Sequence, residues 1–178
     1  MPTTTHPDPA ETPSATTRWR LDQSGSKAEF RVPHFWGLVT VKGHFSRLDG
    51  WLDIDDDGRR RIELTIAAAS LDTGNRKRDR HLRSADFFDT EHSSEVRFES
   101  TSVSDSGDGA LFVAGELAAA GHRVALELQP SLEQSDEQLI IDVSTVLDQR
   151  RLGMTWSPLG MTRTPVTLHV HGLLRRDG

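Results

Sequence analysis

Two histidines near the end of the chain have the spacing of metal ligands. His169 and His171 alternate with Leu168 and Val170, so both imidazoles lie on one face of a predicted strand. A zinc ion held by such a pair activates water for hydrolysis. If Leu168 and Val170 face a core, both rings face solvent and a third ligand has to come from a neighbouring strand. A polar outer face is therefore the favoured interpretation, and a metal-assisted hydrolase is the alternative.

A second candidate metal site lies at Asp53, Asp55, Asp57 and Gly58, which match the opening of a calcium-binding loop. The twelfth position of such a loop normally holds glutamate, but here it is Leu64. The cluster therefore predicts a solvated hairpin turn. The chain has no cysteine, and it contains neither a nucleophile elbow, a phosphate-binding loop nor a dinucleotide-binding fingerprint. We predict no catalytic residue, no metal and no cofactor, so the protein is not an enzyme.

The run Arg76–Arg83 is strongly basic in a chain whose formal net charge is -6. It lacks the alternation of a strand and predicts a short helix near residues 76–84, in which Asp79 and Arg83 form an i, i+4 pair. An exposed helix face explains the charge, and a site for phosphate-like anions is the alternative. The overall acidic balance argues against a nucleic-acid partner.

Large apolar side chains occur in two loops. His34, Phe35 and Trp36 form the first, and Met154–Met161, which includes Trp156, forms the second. These residues either cap a core or line the mouth of a ligand pocket, and their types favour neither interpretation. A further alternative is a stress-related module that binds another protein through Phe35, Trp36 and Trp156.

The elements that hold these residues are β-strands. Period-two alternation begins after Trp19 and continues through most of the chain, as in Arg61–Ile66, which predicts eight to ten amphipathic strands. Short turns favour antiparallel neighbours, and closure into a barrel removes exposed sheet edges. We predict an all-β fold, a single antiparallel β-barrel with a two-layer sandwich as the alternative. Three glycines fit inward-facing positions where a barrel bends, namely Gly43, Gly115 and Gly172.

Residues 1–17 contain no Lys or Arg and no continuous apolar stretch. This composition matches neither a secretory signal nor a membrane span. We expect a disordered tail over residues 1–17 and one domain over residues 18–178. The predicted location is cytoplasmic, with no membrane span.

A pattern in the middle of the chain resembles a known family. Its residues are Leu71, Asp72, Thr73, Gly74, Arg78, Asp79, His81, Leu82, Ser84, Asp86, Phe87, Phe88, Asp89, Val96, Phe98 and Ser100. Together with Trp19, Gly115 and Gly121, they make the chain similar to the YceI-like family of polyisoprenoid-binding proteins. The resemblance runs from about Trp19 to the last strand.

The resemblance implies an eight-stranded, lipocalin-like barrel whose apolar bore takes an isoprenoid lipid, either a polyprenyl lipid or an isoprenoid quinone, for carriage or storage. That lipid is the expected partner, and a homodimer is the other assembly considered. An anionic head group would be bound by Arg76, Arg78, Arg80 or His81. The predicted ligand-binding residues are Phe30, Val32, His34, Phe35, Trp36, Val41, Phe45, Phe87, Phe88, Phe98, Leu117, Leu126, Met154, Trp156, Met161 and Leu168.

Overall fold

The computed structural model describes residues 16–34, 39–107, 109–154 and 165–177. Short 3-10 turns lie at Gln23–Gly25, Ala68–Ser70 and Gln149–Leu152. The strands and the helix, in chain order, are β1 (Thr16–Leu21), β2 (Lys27–His34), β3 (Val39–Phe45), β4 (Leu48–Asp55), β5 (Arg60–Ala67), β6 (Leu71–Asp72), α1 (Arg76–Arg83), β7 (Glu95–Gly107), β8 (Ala110–Ala119), β9 (His122–Leu128), β10 (Ser131–Gln134), β11 (Gln138–Asp148) and β12 (Pro165–Arg176).

The strands form one antiparallel sheet that closes on itself. The ring runs β1, β4, β5, β7, β8, β10, β11, β12, and β12 pairs with β1 to complete it. β1 and β2 pair with opposite halves of β12, because the turn at Gln23–Gly25 bends the chain between them. β9 and β10 also follow each other in the chain and pair with different strands: β9 pairs with β8, and β10 pairs with β11. The predicted eight-stranded, lipocalin-like barrel is confirmed, with several of its strands divided by bends.

Alternating side chains give the barrel an apolar inside and a polar outside, as predicted. On β2, Ala28 and Phe30 are buried, while Lys27 and Arg31 are exposed. The main core cluster continues to the side chains that follow α1, and we call that end of the barrel the mouth. The opposite end, which we call the floor, is closed by a separate buried cluster of Trp19, Leu52, Leu139 and Leu174.

Two glycines let aromatic rings lie flat against the barrel wall. A side chain at Gly43 would collide with the ring of Phe30, and a side chain at Gly115 would collide with the ring of Phe98. The pairing of β7 with β8 also shifts register beside Gly115, as at a β-bulge, which bends the wall. These rings therefore lie close to the backbone instead of crossing the interior.

The motif of the middle of the chain fixes the start of α1. The side chain of Asn75 accepts hydrogen bonds from the backbone N–H groups of Lys77 and Arg78, at 3.1 and 3.0 Å, which caps the helix. The buried carboxylate of Asp79 accepts from the backbone N–H of Thr73 at 3.0 Å and from its hydroxyl at 2.5 Å. The loop before α1 is thus joined to the helix twice, by the cap at Asn75 and by the bonds between Thr73 and Asp79.

The end of α1 is tied to the sheet by Arg83. Its guanidinium donates to the backbone carbonyls of Ala69, at 2.9 Å, and of Leu71. The Asp79–Arg83 pair predicted from the helical spacing is wrong, because Asp79 is bonded to Thr73 in the loop before the helix and Arg83 to the carbonyls of Ala69 and Leu71. The helix itself ends at Arg83 with Ser84 as its cap, in agreement with the prediction of a helix near residues 76–84.

The acidic cluster forms the predicted hairpin turn between β4 and β5. Gly58 has a φ of +79°, in the left-handed region that favours glycine, and its N–H donates to the Asp55 carbonyl at 2.8 Å. Asp53 is buried on β4 and accepts two hydrogen bonds from Arg18 of β1, at 2.7 and 2.6 Å. These bonds hold the pKa of Asp53 below its ordinary value. The carboxylates are thus engaged in joining strands of the barrel.

The bend between β1 and β2 is held by Asp22. Its carboxylate accepts from the backbone N–H and hydroxyl of Ser24, at 3.0 and 2.6 Å, and from Arg175 of β12 at 2.8 Å. The Ser24 and Arg175 hydrogen bonds lower the pKa of Asp22 to about 2. β1 begins at Thr16, two residues inside the predicted tail, so the boundary predicted at residue 17 is wrong there; residues 1–15 lie outside the described ranges.

We expect Asp53→Asn to lower the free energy of unfolding by about 1–2 kcal/mol at pH 7, because it removes a charged, doubly bonded acceptor from a buried position. A carboxyl whose folded pKa is depressed stabilises the fold above its unfolded pKa, near 4, and loses that contribution as pH falls. The deficit of the variant should therefore shrink between pH 4 and pH 2. Urea unfolding followed by tryptophan fluorescence at several pH values measures this.

Asp57→Asn in the exposed hairpin turn is the matched control, and we expect its unfolding free energy to stay within about 0.5 kcal/mol of the unmodified protein. A deficit of Asp53→Asn that persists undiminished at pH 2 would contradict the assigned role of the ion pair.

Candidate ligand-binding cavity

The inside of the barrel holds a cavity of about 520 Å³. Close-packed protein interiors rarely leave voids larger than a water molecule, whereas pockets for organic ligands have volumes of roughly 300–1,000 Å³. The cavity is therefore a feature of the architecture and not a packing defect. From Leu139 at the floor to Thr145 on the same strand, six residues of β11 correspond to a depth of roughly 20 Å.

The wall of the cavity is almost entirely apolar. It consists of inward-facing residues from most strands of the ring, together with Leu82 of α1. Every predicted ligand-binding residue whose side chain the structure describes lines this cavity: Phe30, Val32, Val41, Phe45, Phe87, Phe88, Phe98, Leu117, Leu126, Met154 and Leu168. That these residues bind a ligand stays a prediction, but the structure does bring them together around one space.

The remaining predicted wall residues fall outside what the structure describes. Phe35, Trp36, Trp156 and Met161 lie in residues 35–38 and 155–164, and the side chain of His34 is likewise not described. The protein-binding alternative rests on three of these residues and therefore stays a prediction.

Sequence reasoning missed several wall residues that follow the same alternation. Ile62, Leu64 and Ile66 of β5 line the cavity, as do Val143 of β11 and Val170 of β12. Their signal was present, since each shares the phase of an apolar face along its strand. The polar wall residues Glu29, Glu63, Thr145 and Gln149 gave no such signal, because the pattern selects for apolar side chains.

Aromatic side chains cover the mouth from the side of α1. Phe45 of β3 packs edge-on against Phe88 with ring centroids 5.7 Å apart, and tilted against Phe30 at 5.6 Å. Phe87 makes an edge contact with His81 at 5.2 Å. Such aromatic pairs are favourable in these orientations, so the segment after α1 is packed onto the barrel as a partial roof.

The four predicted head-group residues are separated by the fold. Arg78 lines the cavity, and its guanidinium donates to the hydroxyl and the carbonyl of Thr73, at 2.8 and 2.9 Å. Arg76 and Arg80 are exposed and line a polar groove on the outside. His81 interacts with Asp86 at 3.2 Å. Of the four, only Arg78 is among the cavity residues.

Arg78 and Thr145 lie at the same level of the barrel. Thr73, which holds Arg78, packs against the position of Gly43. A continuous row of paired residues then crosses the wall through Gly43, Phe30, Leu168 and Thr145. Three strand spacings of about 4.8 Å separate Gly43 from Thr145 along the wall, roughly 14 Å in total. Polar groups therefore approach the cavity from two sides near the mouth.

The histidine pair faces away from the cavity, as the favoured interpretation expected. Leu168 and Val170 line the cavity, and His171 Nδ1 lies 3.0 Å from the Asp142 carboxylate on β11. His169 Nε2 lies 3.5 Å from the same carboxylate. Among the residues that the structure describes, no group of three His, Cys, Asp or Glu side chains is placed to hold a metal ion. The geometry gives the hydrolase alternative no support.

Among the described residues, no helix has the length and apolar character needed to cross a membrane. The predicted location and the predicted homodimer are not tested by the structure and stay predictions.

Curated bacterial relatives match slightly more than half of the chain. A UPF0312 protein of Serratia proteamaculans is 38% identical over 95 residues, which is 51% of this chain and 49% of the relative. A UPF0312 protein of Shewanella denitrificans is 37% identical over 107 residues, 57% of this chain and 54% of the relative. The chain thus spans about half the length of the curated relatives it matches.

Solved structures share the fold at low sequence identity. BcnA of Burkholderia cenocepacia superposes with a TM-score of 0.78 at 18% identity, covering 86% of this chain and 98% of that one. A polyisoprenoid-binding domain from Saccharophagus degradans gives a TM-score of 0.73 at 14% identity, covering 89% and 98%. The model of the YceI-like domain matches residues 19–173, nearly the whole described barrel. The chain therefore belongs to the YceI-like domain family.

Proposed function

We propose that the protein binds an isoprenoid lipid non-catalytically, with the hydrocarbon chain in the barrel and the head at the mouth. The observation that carries this proposal is the deep apolar cavity of about 520 Å³, closed at the floor by Trp19, Leu52, Leu139 and Leu174. A closed, mostly apolar tube excludes water from a hydrocarbon chain that enters it. The polyisoprenoid-binding domain of Saccharophagus degradans has the same fold, which supports the proposal.

The energetics favour a long, flexible hydrocarbon. Each buried methylene contributes about 0.8 kcal/mol, so a few isoprene units outweigh the cost of immobilising the ligand. The wall also suits such a ligand, because the apolar side chains of Leu82, Met154 and Phe88 line the cavity from different parts of the chain. Binding of this kind selects for chain length and flexibility.

The polar residues near the mouth favour an uncharged, carbonyl-bearing head group such as a quinone. Arg78 is the only Lys, Arg or His among the described residues that line the cavity, and it already donates twice to Thr73. A diphosphate needs several cationic donors to replace its hydration. A ring with two carbonyls needs only one donor on each side, which Arg78 and Thr145 or Gln149 supply. The proposed cargo is therefore an isoprenoid quinone, held for carriage or storage.

We expect Val143→Phe to weaken binding of a long-chain isoprenoid quinone roughly tenfold or more. The added ring occupies space in the cavity, and exclusion of two methylenes removes about 1.6 kcal/mol of hydrophobic burial. Tryptophan-fluorescence titration, with native mass spectrometry of the complex, measures the change.

Val146→Phe is the matched control, since Val146 lies on the same strand with 65% of its surface exposed. We expect it to bind the quinone as the unmodified protein does. Unchanged binding by Val143→Phe, or a delipidated protein that takes up no isoprenoid quinone, would refute the proposal.

We expect Arg78→Met to weaken quinone binding about tenfold, because it removes a charged hydrogen-bond donor. Its affinity for a polyisoprene hydrocarbon without a head group should stay unchanged, and Arg76→Met, on the outer face, should alter neither ligand. The two ligands are compared in the same competition assay. Equal weakening of both by Arg78→Met would mean that the variant displaces α1, and Arg78 would lose its assigned role.

A further inference from the structure

A cluster of cations lies on the outer surface beside the mouth. Arg31 of β2 and Lys42 of β3 are exposed, and so are Arg76, Lys77 and Arg80 of α1. We call these five residues the basic face. Within residues 16–34, 39–107, 109–154 and 165–177, none of the five forms an ion pair. This concentration of unpaired positive charge stands out in a chain whose formal net charge is -6.

The basic face contains two like-charge pairs that oppose folding. Arg31 and Lys42 lie directly opposite each other on paired strands, an arrangement that is destabilising when the charges are alike. Arg76 and Arg80 are spaced i, i+4 on the helix, where like charges also repel. Several other exposed arginines in the barrel are neutralised, for example Arg123 by Glu116 at 2.6 Å and Arg97 by Glu99 at 2.7 Å. The repulsion in the basic face is relieved when a negatively charged surface meets it.

The two halves of the basic face are close together and lie far from the floor. His44, two residues from Lys42 on β3, lines the same outer groove as Arg76 and Arg80. Arg31 pairs with Thr167, seven residues along β12 from Leu174 at the floor, which corresponds to roughly 23 Å. Acidic residues lie nearby as well: Glu29 and Asp72 flank His44 on the adjoining strands, and Asp79, Asp89 and Glu91 line the same groove. Of these, Asp79 is bonded to Thr73 and Asp89 to His92. The positive charge therefore lies along one side of the end of the barrel through which a ligand would pass.

We propose that the basic face docks the mouth of the barrel onto a membrane surface that bears anionic phospholipid head groups. This rests on the proposed function, because a carrier of a membrane lipid must bring its mouth to the bilayer. Cations come from both α1 and the outer face of the neighbouring strands β2 and β3, and this spread suits an extended, negatively charged surface. Each Lys or Arg near an anionic bilayer strengthens binding by roughly fivefold, and five of them suffice for reversible attachment at physiological salt.

Sedimentation of the full chain with lipid vesicles tests this proposal. The protein should bind phosphatidylcholine vesicles that contain phosphatidylglycerol, bind pure phosphatidylcholine vesicles far more weakly, and dissociate as salt is raised. The double variants Arg31→Glu with Lys42→Glu, and Arg76→Glu with Arg80→Glu, should each lower binding to the anionic vesicles roughly 25-fold or more. Their quinone binding in vesicle-free solution should stay unchanged.

The control is Arg59→Glu with Arg176→Glu, two exposed cations at the floor end, which alters the net charge by the same amount. It should bind anionic vesicles nearly as the unmodified protein does, because its mouth is intact. An equal loss in this control, equal binding to both kinds of vesicle, or binding to polyuridylate with no binding to vesicles would each overturn the proposal. A protein that binds anionic vesicles but no quinone would refute the proposed cargo and leave the docking surface standing.

Discussion

The architecture depends on strand alternation in a sheet that closes into a ring. Once β12 pairs with β1, each inward position becomes part of one continuous apolar wall, and each outward position meets water. The number of strands then sets the diameter of the ring. Because Phe30 and Phe98 lie over glycines, these two inward rings stay near the wall, and the interior keeps space that the chain itself does not fill. The cavity follows from closure and from these two glycines together.

An open cavity of this kind costs packing energy, and the hydrogen bonds around α1 help to keep its mouth ordered. Asp79 is buried and bonded to Thr73, while Arg83 reaches the carbonyls of Ala69 and Leu71. These bonds join the helix to the strand before it without placing apolar bulk in the lumen. The motif that carries the family resemblance thus holds a roof over the barrel, and it also supplies part of the cavity wall through Arg78, Leu82, Phe87, Phe88, Val96 and Phe98.

The sequence predicted the wall of the barrel well because each wall residue is defined by its own strand. Phe30 and Leu168 have polar neighbours on either side along their strands, so the local alternation is enough to predict that both face inward. The partners of Asp79 and Arg83 could not be predicted, since they depend on how the loop at Thr73 folds back over the sheet. The division of the basic run into inner and outer residues was missed for the same reason: helical spacing is known from sequence, but the face that meets the barrel is set by tertiary contacts. Thr145 was not predicted because it is polar but occupies an inward position of its strand, and hydrophobic alternation identifies only apolar inward residues.

The arginines of α1 show how one short helix divides its tasks. Consecutive residues turn by about 100°, so Arg78 lies on the face of α1 opposite to Arg76, Arg80 and Arg83. Arg78 lines the cavity, whereas the other three line the outer groove, where Arg83 bonds to the carbonyls of Ala69 and Leu71. Inside, a single cation with two of its nitrogens already bonded can orient a polar head without demanding that the head be charged. Outside, cations without partners keep their full attraction for a negative surface. Arginine therefore suits an uncharged head group on the inner side of the helix and a negatively charged surface on the outer side. The difference arises because Arg78 is already hydrogen-bonded to Thr73.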